Sequence, residues 1–203
     1  MYKRQAVAVD ALGPENVRCF MLPSKFTSQD STNDAKNISA RLDITLEALS
    51  IEELYNSVEK TLKKTFNSLE KDITEENIQS RLRALLLMAV SNKFGNMLIS
   101  TSNKSESAVG YSTLYGDMSG GFAPLKDVWK TDVVGLCNWR NKNKPQSSKY
   151  PNLDIIPSNI IFKPPTAELR ENQKDSDSLP DYKILDEILA LNIEEMKSEE
   201  EII

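Results

Sequence analysis

Four groups of residues in this 203-residue chain have the types and spacing to handle an anionic ligand. Glu76, Asn77, Arg81 and Arg83 fall on the first turns of a predicted helix. The step from Glu76 to Arg83 puts those two on one face, with Asn77 and Arg81 close by. Arginine offers a fork of donors to anionic oxygens. By spacing alone the same residues also suit a solvated helix start with intrahelical ion pairs. The second group is Thr101, Asn103, Lys104 and Glu106. A threonine at a strand's carboxyl end can meet a base or a phosphate through backbone and hydroxyl together. A carboxylate a little further on can hold Mg²⁺ through one oxygen. Asn103 and Glu106 equally fit the spacing of a capping box. The third group is Tyr111, Tyr115, Asp117 and Ser119-Gly120-Gly121, followed by Lys126 and Lys130. Paired glycines let backbone N–H groups approach a ligand, or simply form a surface turn. In the fourth, Lys163–Leu169, two prolines set an extended entry and Thr166 presents a hydroxyl at an expected helix start. Asp175, Asp177 and Ser178 follow.

These groups need elements to hold them. Ala6–Leu12 reads as the end of a helix with Gly13 as its C-cap. Val17–Leu22 is a short apolar run stopped by Pro23, a buried strand. Ser28–Leu42 becomes helical behind Ser28 or Ser31 as N-cap, and Leu42–Leu49 is expected to hold a second strand. Ile51, Leu54, Tyr55, Val58, Leu62, Phe66 and Leu69 recur at helical spacing as one apolar stripe. Thr74 is expected to cap the next helix, which ends at Gly95. Met97–Ser100 reads as a strand, a short helix follows from Ser105, and another runs from Leu125 or Thr131 to Trp139. Asn141–Asn152 reads as an exposed polar loop. Asp181–Leu191 is a last amphipathic helix, and residues 194–203 are an acidic tail expected to fray. Alternating strands and helices predict an α/β fold, a parallel sheet with helices on both faces. Thr101–Asn103 would then sit at a strand's carboxyl end, where such sheets bind ligands.

Composition narrows the chemistry. With 39% hydrophobic and 27% charged residues the chain suits a soluble domain with one core. The longest apolar run, Ala84–Val90, is shorter than the ~18–20 residues of a membrane span. Met1–Gln5 has no apolar segment behind it and does not read as a signal peptide. A net charge of −5 argues against nucleic-acid binding. Cys19 and Cys137 sit in apolar settings and are expected to be buried, reduced thiols of a cytoplasmic protein. With no histidine in the chain, Ser-His-Asp and Cys-His machinery is excluded, and so is a structural zinc site. Metal, lysine, arginine, carboxylates and backbone dipoles remain. That set suits nucleotidyl transfer, where positioning and charge neutralisation supply most of the catalysis.

The words ENIQSRLR (from Glu76), TSNKSESAVGYSTLYGDMSGG (from Thr101) and KPPTAELR (from Lys163) occur in this order. Together they closely resemble the synthetase domain of the NAD synthetases, in its glutamine-dependent form, over residues 6–190. The resemblance implies an adenine-nucleotide alpha-hydrolase-like fold of the ATP-pyrophosphatase group. It implies the last step of NAD biosynthesis: ATP adenylates the nicotinate carboxylate of deamido-NAD and pyrophosphate leaves. Ammonia, drawn from glutamine by another domain, then displaces AMP. Carried over residue by residue, it implies Asn77, Arg81, Arg83 and Glu106 at deamido-NAD. It implies Thr101, Lys130 and Thr166 at ATP, with Glu106 shared with Mg²⁺. No covalent enzyme intermediate is implied. The segment around Lys163–Ser178 resembles a mobile cover, and the family's dinucleotide site implies a homodimer or higher homo-oligomer.

One motif of that family does not occur. The family carries a Ser-Gly-Gly-x-Asp-Ser loop that cradles pyrophosphate and helps to hold Mg²⁺. The only Ser-Gly-Gly here, Ser119–Gly121, runs on into Phe-Ala. The 203 residues are therefore expected to be a partial domain, cut at both ends and inactive alone, with residues 1–5 not native to the fold. Two other readings are open. One is another ATP-pyrophosphatase amidotransferase such as GMP synthetase. The other is a remnant that binds nucleotide without turnover.

Overall fold

In the computed structural model, residues 3–67 and 69–203 are described. Two three-residue strands, β1 (Cys19–Met21) and β2 (Leu46–Ala48), pair in parallel with Cys19 opposite Leu46. Parallel strands cannot be joined by a hairpin, and α2 (Gln29–Arg41) makes the crossover. Ser28 is its N-cap, the hydroxyl accepting from Ser31 N–H at 3.1 Å. Ahead of β1, α1 (Lys3–Leu12) runs without a break through Lys3–Gln5, and the Gln5 side-chain amide donates to the Cys19 sulfur. The fold is thus α/β with a parallel sheet, as expected. The strand expected at Met97–Ser100 reduces to a single parallel bridge between Ile99 and Phe122.

The core lies where α1, α2 and α6 (Lys130–Lys142) meet the strands. Val9, Ile38, Leu42, Val133 and Cys137 pack there with Ile155, Ile156 and the Ile160–Ile161 pair of α7 (Ser158–Phe162). Cys19 and Cys137 are both buried and are not joined in a disulfide. The loop expected to be exposed over Asn141–Asn152 is so at most positions beyond the end of α6, with Tyr150 the exception. Tyr150 is only 3% exposed. Its hydroxyl lies 2.6 Å from the Arg41 carbonyl and 2.8 Å from the Asp43 carboxylate. Prolines end regular structure, but a tyrosine with apolar body and polar tip still anchors the loop.

Beyond the core, α3 (Glu52–Phe66) packs on α4 (Ile73–Phe94). The predicted stripe on α3 is buried only at its start, by Ile51 and Tyr55; Leu54 is partly exposed, and Leu69 lies beyond the helix and is exposed. The expected Thr74 cap is corrected to Asp72. Its carboxylate accepts from Thr74 N–H at 2.7 Å, and Glu75 accepts in return from Asp72 N–H at 2.9 Å. With Asp72, two residues earlier, as the cap, two orphan amides are satisfied, which Thr74 inside the first turn cannot do. Gly95 ends α4 in the left-handed region, φ 68°. The remaining helices are α5 (Lys104–Ala108), α8 (Tyr182–Ile193) and, within the acidic tail, α9 (Glu199–Ile202). Among the described residues no helix is long and apolar enough to cross a membrane.

One buried ion pair joins the first helix to the middle of the chain. Arg140 grips Asp10 with two parallel bonds, Nε to Oδ2 at 2.6 Å and one terminal amine to Oδ1 at 2.8 Å. The other amine donates to the Asn143 and Asn152 carbonyls. Asp10→Ala leaves that guanidinium buried without its counter-charge, which costs about 3–5 kcal/mol in comparable pairs. Breaking the exposed Arg18–Glu47 pair by Glu47→Ala costs at most about 1 kcal/mol. Urea unfolding of the two variants should separate them by that margin, and equal losses would contradict the assignment.

Candidate functional site

The loop from Tyr111 to Phe122 is the hub to which three groups are tied. Thr113 Oγ1 donates to Asn77 Oδ1 on α4 at 2.7 Å, and Thr113 N–H donates to Asp117 Oδ1 at 2.7 Å. Asp117 N–H donates to Ser80 Oγ at 3.0 Å, and Arg81 Nε donates to the Leu114 carbonyl at 3.2 Å. From the other side Thr101 Oγ1 donates to the Asp117 carbonyl at 3.3 Å. Gly120 makes this possible. Its φ is 149°, and a side chain there would come within 2.7 Å of Ser100 N and 2.9 Å of Leu98 O. The glycine lets two backbones meet: Ser100 N–H donates to Phe122 O and Gly121 N–H to Leu98 O, both at 2.8 Å. Asn77, Arg81 and Thr101 are therefore gathered around one loop.

Glu106 and Lys130 form the next layer. Glu106 sits on α5, whose cap is Asn103, accepting from Glu106 N–H at 2.9 Å. Lys130 opens α6, and its Nζ donates to Glu106 Oε1 at 2.7 Å with both side chains largely shielded. The ammonium also lies 5.0 Å from the Tyr182 ring centre. Tyr182 Oη donates to Asp175 Oδ2 at 2.9 Å, and Tyr111 Oη lies 3.4 Å from Oδ1. Burial pushes the Asp175 carboxyl above the usual range and the Glu106 charge adds to this, while Tyr182, Lys130 and Tyr111 pull it back. Burial likewise pushes the Tyr111 phenol up to about 12. Arg4, near the start of α1, lies within electrostatic reach of Glu106. Burial holds its guanidinium down to about 10, against the opposing pull of Glu106, Cys19 and Asp117.

The segment expected to act as a cover, residues 163–178, packs onto this frame. Glu168 Oε1 accepts from Ser28 Oγ and Ser31 Oγ, each at 2.7 Å, at the N-terminus of α2. Gln173 donates to Glu76 at 3.0 Å, and Gln79 Nε2 donates to the Leu169 carbonyl at 2.7 Å. Thr166 Oγ1 donates to the Gln173 carbonyl at 2.6 Å and accepts from Glu168 N–H at 3.2 Å. The helix expected to start at Thr166 does not form; its hydroxyl closes a turn of the segment itself, with Glu168 at φ 51°. Arg83 stands apart from the other α4 residues. Its Nε donates to the Leu22 carbonyl at 2.9 Å, beyond β1, and burial lowers its pKa to about 10 with Glu168 opposing.

Sequence reasoning missed Arg4, which fell in a segment set aside, and the role of Tyr182. Asp175 was noticed only as part of a polar loop; its pairing with two tyrosines more than sixty and just seven positions away left no periodic trace. For metal, no group of three or more carboxylate, thiol or imidazole ligands gathers among the described residues. Magnesium usually keeps its waters and takes one or two carboxylates with substrate phosphates. Glu106 suits that mode, and no dedicated cage is needed.

The raised Asp175 pKa has a consequence for stability. An unfolded aspartate titrates near pH ~3.9, so with a higher folded value protonation favours the fold. That contribution is whole below about pH 3.9 and is lost as pH rises through the folded value. Asp175→Asn lacks this titration. Melting temperatures of wild type minus variant should therefore fall as pH rises from about 3.5 towards 7. A difference that stays flat or grows over that range would contradict the reading.

Known proteins were then compared. The sequence profile of the family described as NAD synthase matches residues 4–203. The glutamine-dependent NAD(+) synthetase of Rhodobacter capsulatus is 52% identical over 197 residues, which cover 97% of this chain and 36% of that protein. That of Thermotoga maritima is 50% identical over 196 residues, 97% of this chain and 33% of that protein. The chain thus spans about a third of the length of the curated relatives it matches. Among solved structures, glutamine-dependent NAD+ synthetase from Acinetobacter baumannii, in complex with ADP, aligns with a TM-score of 0.74 at 42% identity, over 99% of this chain and 34% of that one. NMN synthetase from Francisella tularensis aligns with a TM-score of 0.77 at 25% identity, over 93% and 71%.

Proposed function

The chain belongs to the NAD synthase family, and we propose that it supplies synthetase residues to a glutamine-dependent NAD synthetase, a ligase that amidates deamido-NAD. One observation carries this reading. Asn77, Arg81 and Thr101 are bonded to a single loop, and that loop runs beside the Glu106–Lys130 pair, whose acid acts with Asp117 on Arg4. Residues spread from Arg4 to Lys130 in sequence thus share one polar surface that carries several cations, as a dinucleotide and a triphosphate require. The family match speaks against GMP synthetase.

In this reading the nicotinate carboxylate attacks the α-phosphorus of ATP, and pyrophosphate takes the bonding pair as it leaves. Ammonia then attacks the acyl carbon and AMP departs. Asn77 and Arg81 bind deamido-NAD, and Arg83 acts from the β1 side. Thr101 and Thr166 bind ATP, and Lys130 neutralises its phosphates. Mg²⁺, held by Glu106 and phosphate oxygens, adds charge neutralisation when bound. The protein's own contribution is fixed donors in a partly dry site, with no covalent intermediate. Ammonia comes from glutamine outside these residues, and two buried cysteines without a disulfide support a cytoplasmic setting.

Equilibrium binding tests the residue roles in this chain. Asn77→Ala should weaken deamido-NAD at least about tenfold and ATP much less; Lys130→Ala should do the reverse. Equal losses for both ligands, or none, would remove the assignment. Turnover is tested with a strand and a Ser-Gly-Gly-x-Asp-Ser loop placed ahead of residue 6. NAD should form from deamido-NAD, ATP, Mg²⁺ and ammonium. Preference for nicotinic acid mononucleotide would place the substrate elsewhere in the family.

Self-association is part of the proposal. Leu85 and Met88 of α4, three positions apart and so on one face, are exposed, Leu85 by 61%, on the helix that carries Asn77. An apolar pair of that kind on a site helix supports a homodimer. Sedimentation should show a dimer that Leu85→Lys with Met88→Lys converts to monomer, without loss of secondary structure by circular dichroism. A monomeric parent chain would refute it.

A further inference from the structure

Helix α6 begins without a cap of its own. Its N-cap residue is Trp129, whose side chain makes no capping hydrogen bond. The first amides of a helix have no partner inside it and must be met from elsewhere. Here two other helices meet them. Lys130 N–H donates to Ser105 Oγ of α5 at 2.9 Å. Thr131 N–H and Oγ1–H both donate to Asp186 Oδ2 of α8, each at 2.9 Å. Ser105 Oγ–H closes the ring by donating to Asp186 Oδ1 at 2.5 Å. Ser105 is 0% and Asp186 4% exposed, so water does not compete for these bonds.

The ring sits beside two residues of the proposed site. Glu106 follows Ser105, and Lys130 precedes Thr131. Their side chains meet at 2.7 Å on the open side of the same junction. A carboxylate that bonds both backbones' neighbours therefore sets how far apart the acid and the lysine stand. The far end of α8 adds a second hold. Glu194 accepts from Lys104 Nζ at 2.5 Å and from Trp129 Nε1 at 3.2 Å.

We infer that Asp186 is a positioning residue for Lys130 and Glu106: it caps α6 from α8, ties α5 to that cap, and touches no ligand. The inference rests on the reading of Lys130 as an ATP-binding residue. An aspartate suits the task because both oxygens only accept, and all of its partners here donate. Asparagine has the same shape but presents an NH₂ to one side. It cannot accept from Ser105 Oγ and Thr131 together without leaving a donor unmet.

Hydrogen exchange and ATP binding decide the matter in the 203-residue chain. Asp186→Asn should speed exchange of the Lys130 and Thr131 amides at least about tenfold, while amides of Leu136–Trp139 in the same helix keep their protection. Mg-ATP affinity should fall by most of the loss seen in Lys130→Ala. If Asp186→Asn does not fold, Thr131→Val removes one donor of the ring and should give a smaller effect of the same pattern. Unchanged exchange at Lys130 and Thr131 would overturn the proposal. So would uniform loss of protection along the whole chain, the mark of a merely structural acid. A local exchange change with intact ATP affinity overturns it too, provided Lys130→Ala does weaken ATP. If Lys130→Ala itself leaves ATP unaffected while exchange moves as described, the cap stands and the reading of Lys130 fails.

Discussion

A helix that opens on Lys130 behind a bulky tryptophan cannot be capped at its start without help from elsewhere. Trp129 offers no acceptor to the amides behind it, and those amides turn inward to the buried side chains of Ser105 and Asp186. Leaving one such donor unmet costs about 1–3 kcal/mol. The need is answered by Ser105 and Asp186, and this obliges α5 and α8 to converge on the start of α6. Much else follows from that convergence. Lys104 comes within 4.6 Å of the Trp129 ring centre, Tyr182 reaches Asp175, and the cover segment must run between the two anchored ends. The tryptophan that fails as a cap serves as the surface on which the neighbouring lysine rests.

The cover segment obeys a second constraint. Its three anchors, Glu168, Gln173 and the Leu169 carbonyl, fall on α2 and α4, two helices otherwise separate at this end. Glu168 reaches its place only with a left-handed backbone, φ 51°. Such a residue costs on the order of 1 kcal/mol without glycine, so the contacts at its carboxylate must exceed that. They have the means. Two hydroxyls at 2.7 Å and the N-terminal dipole of α2 all favour a negative charge there. The same geometry explains why Thr166 turns inward: its hydroxyl stabilises the bend that delivers Glu168.

Local chemistry made much of this legible. Ser28 and Asn103 were readable as caps because the cap geometry is local and rewards short polar side chains. β1 and β2 were readable from brief apolar runs, and Gly95 from its position behind a long apolar stretch. Three kinds of feature were not readable. Tyr150 lay in a polar, proline-bounded stretch whose average hid one buried ring. The third strand dwindled because Gly120 lets the backbone at Leu98–Ser100 pair with the hub loop at a single bridge. Arg4 and Asp186 act through partners far off in sequence, and no periodicity records such pairs. The words ENIQSRLR, YGDMSGG and KPPTAELR gave the family; where their side chains point depended on the tertiary fold.

The electrostatics of the site run against those of the molecule as a whole. The chain carries a net charge of −5, yet two half-buried arginines lie within it, Arg4 near Glu106 and Arg83 on the β1 side. Burial lowers each to about 10. That is still about three units above neutral pH, so both remain charged. A buried cation is costly unless anions answer it. Here the answering groups are side-chain carboxylates: Glu106 and Asp117 for Arg4, Glu168 for Arg83, and Glu106 again for Lys130. One acid therefore serves two cations, and a further negative charge at that place would be met rather than repelled. Under the proposed function, the phosphate oxygens of ATP would supply that charge together with several acceptor positions. Glu106 would then be the point of contact for a hard cation arriving with them, because a phosphate on Lys130 would free part of the acid's charge.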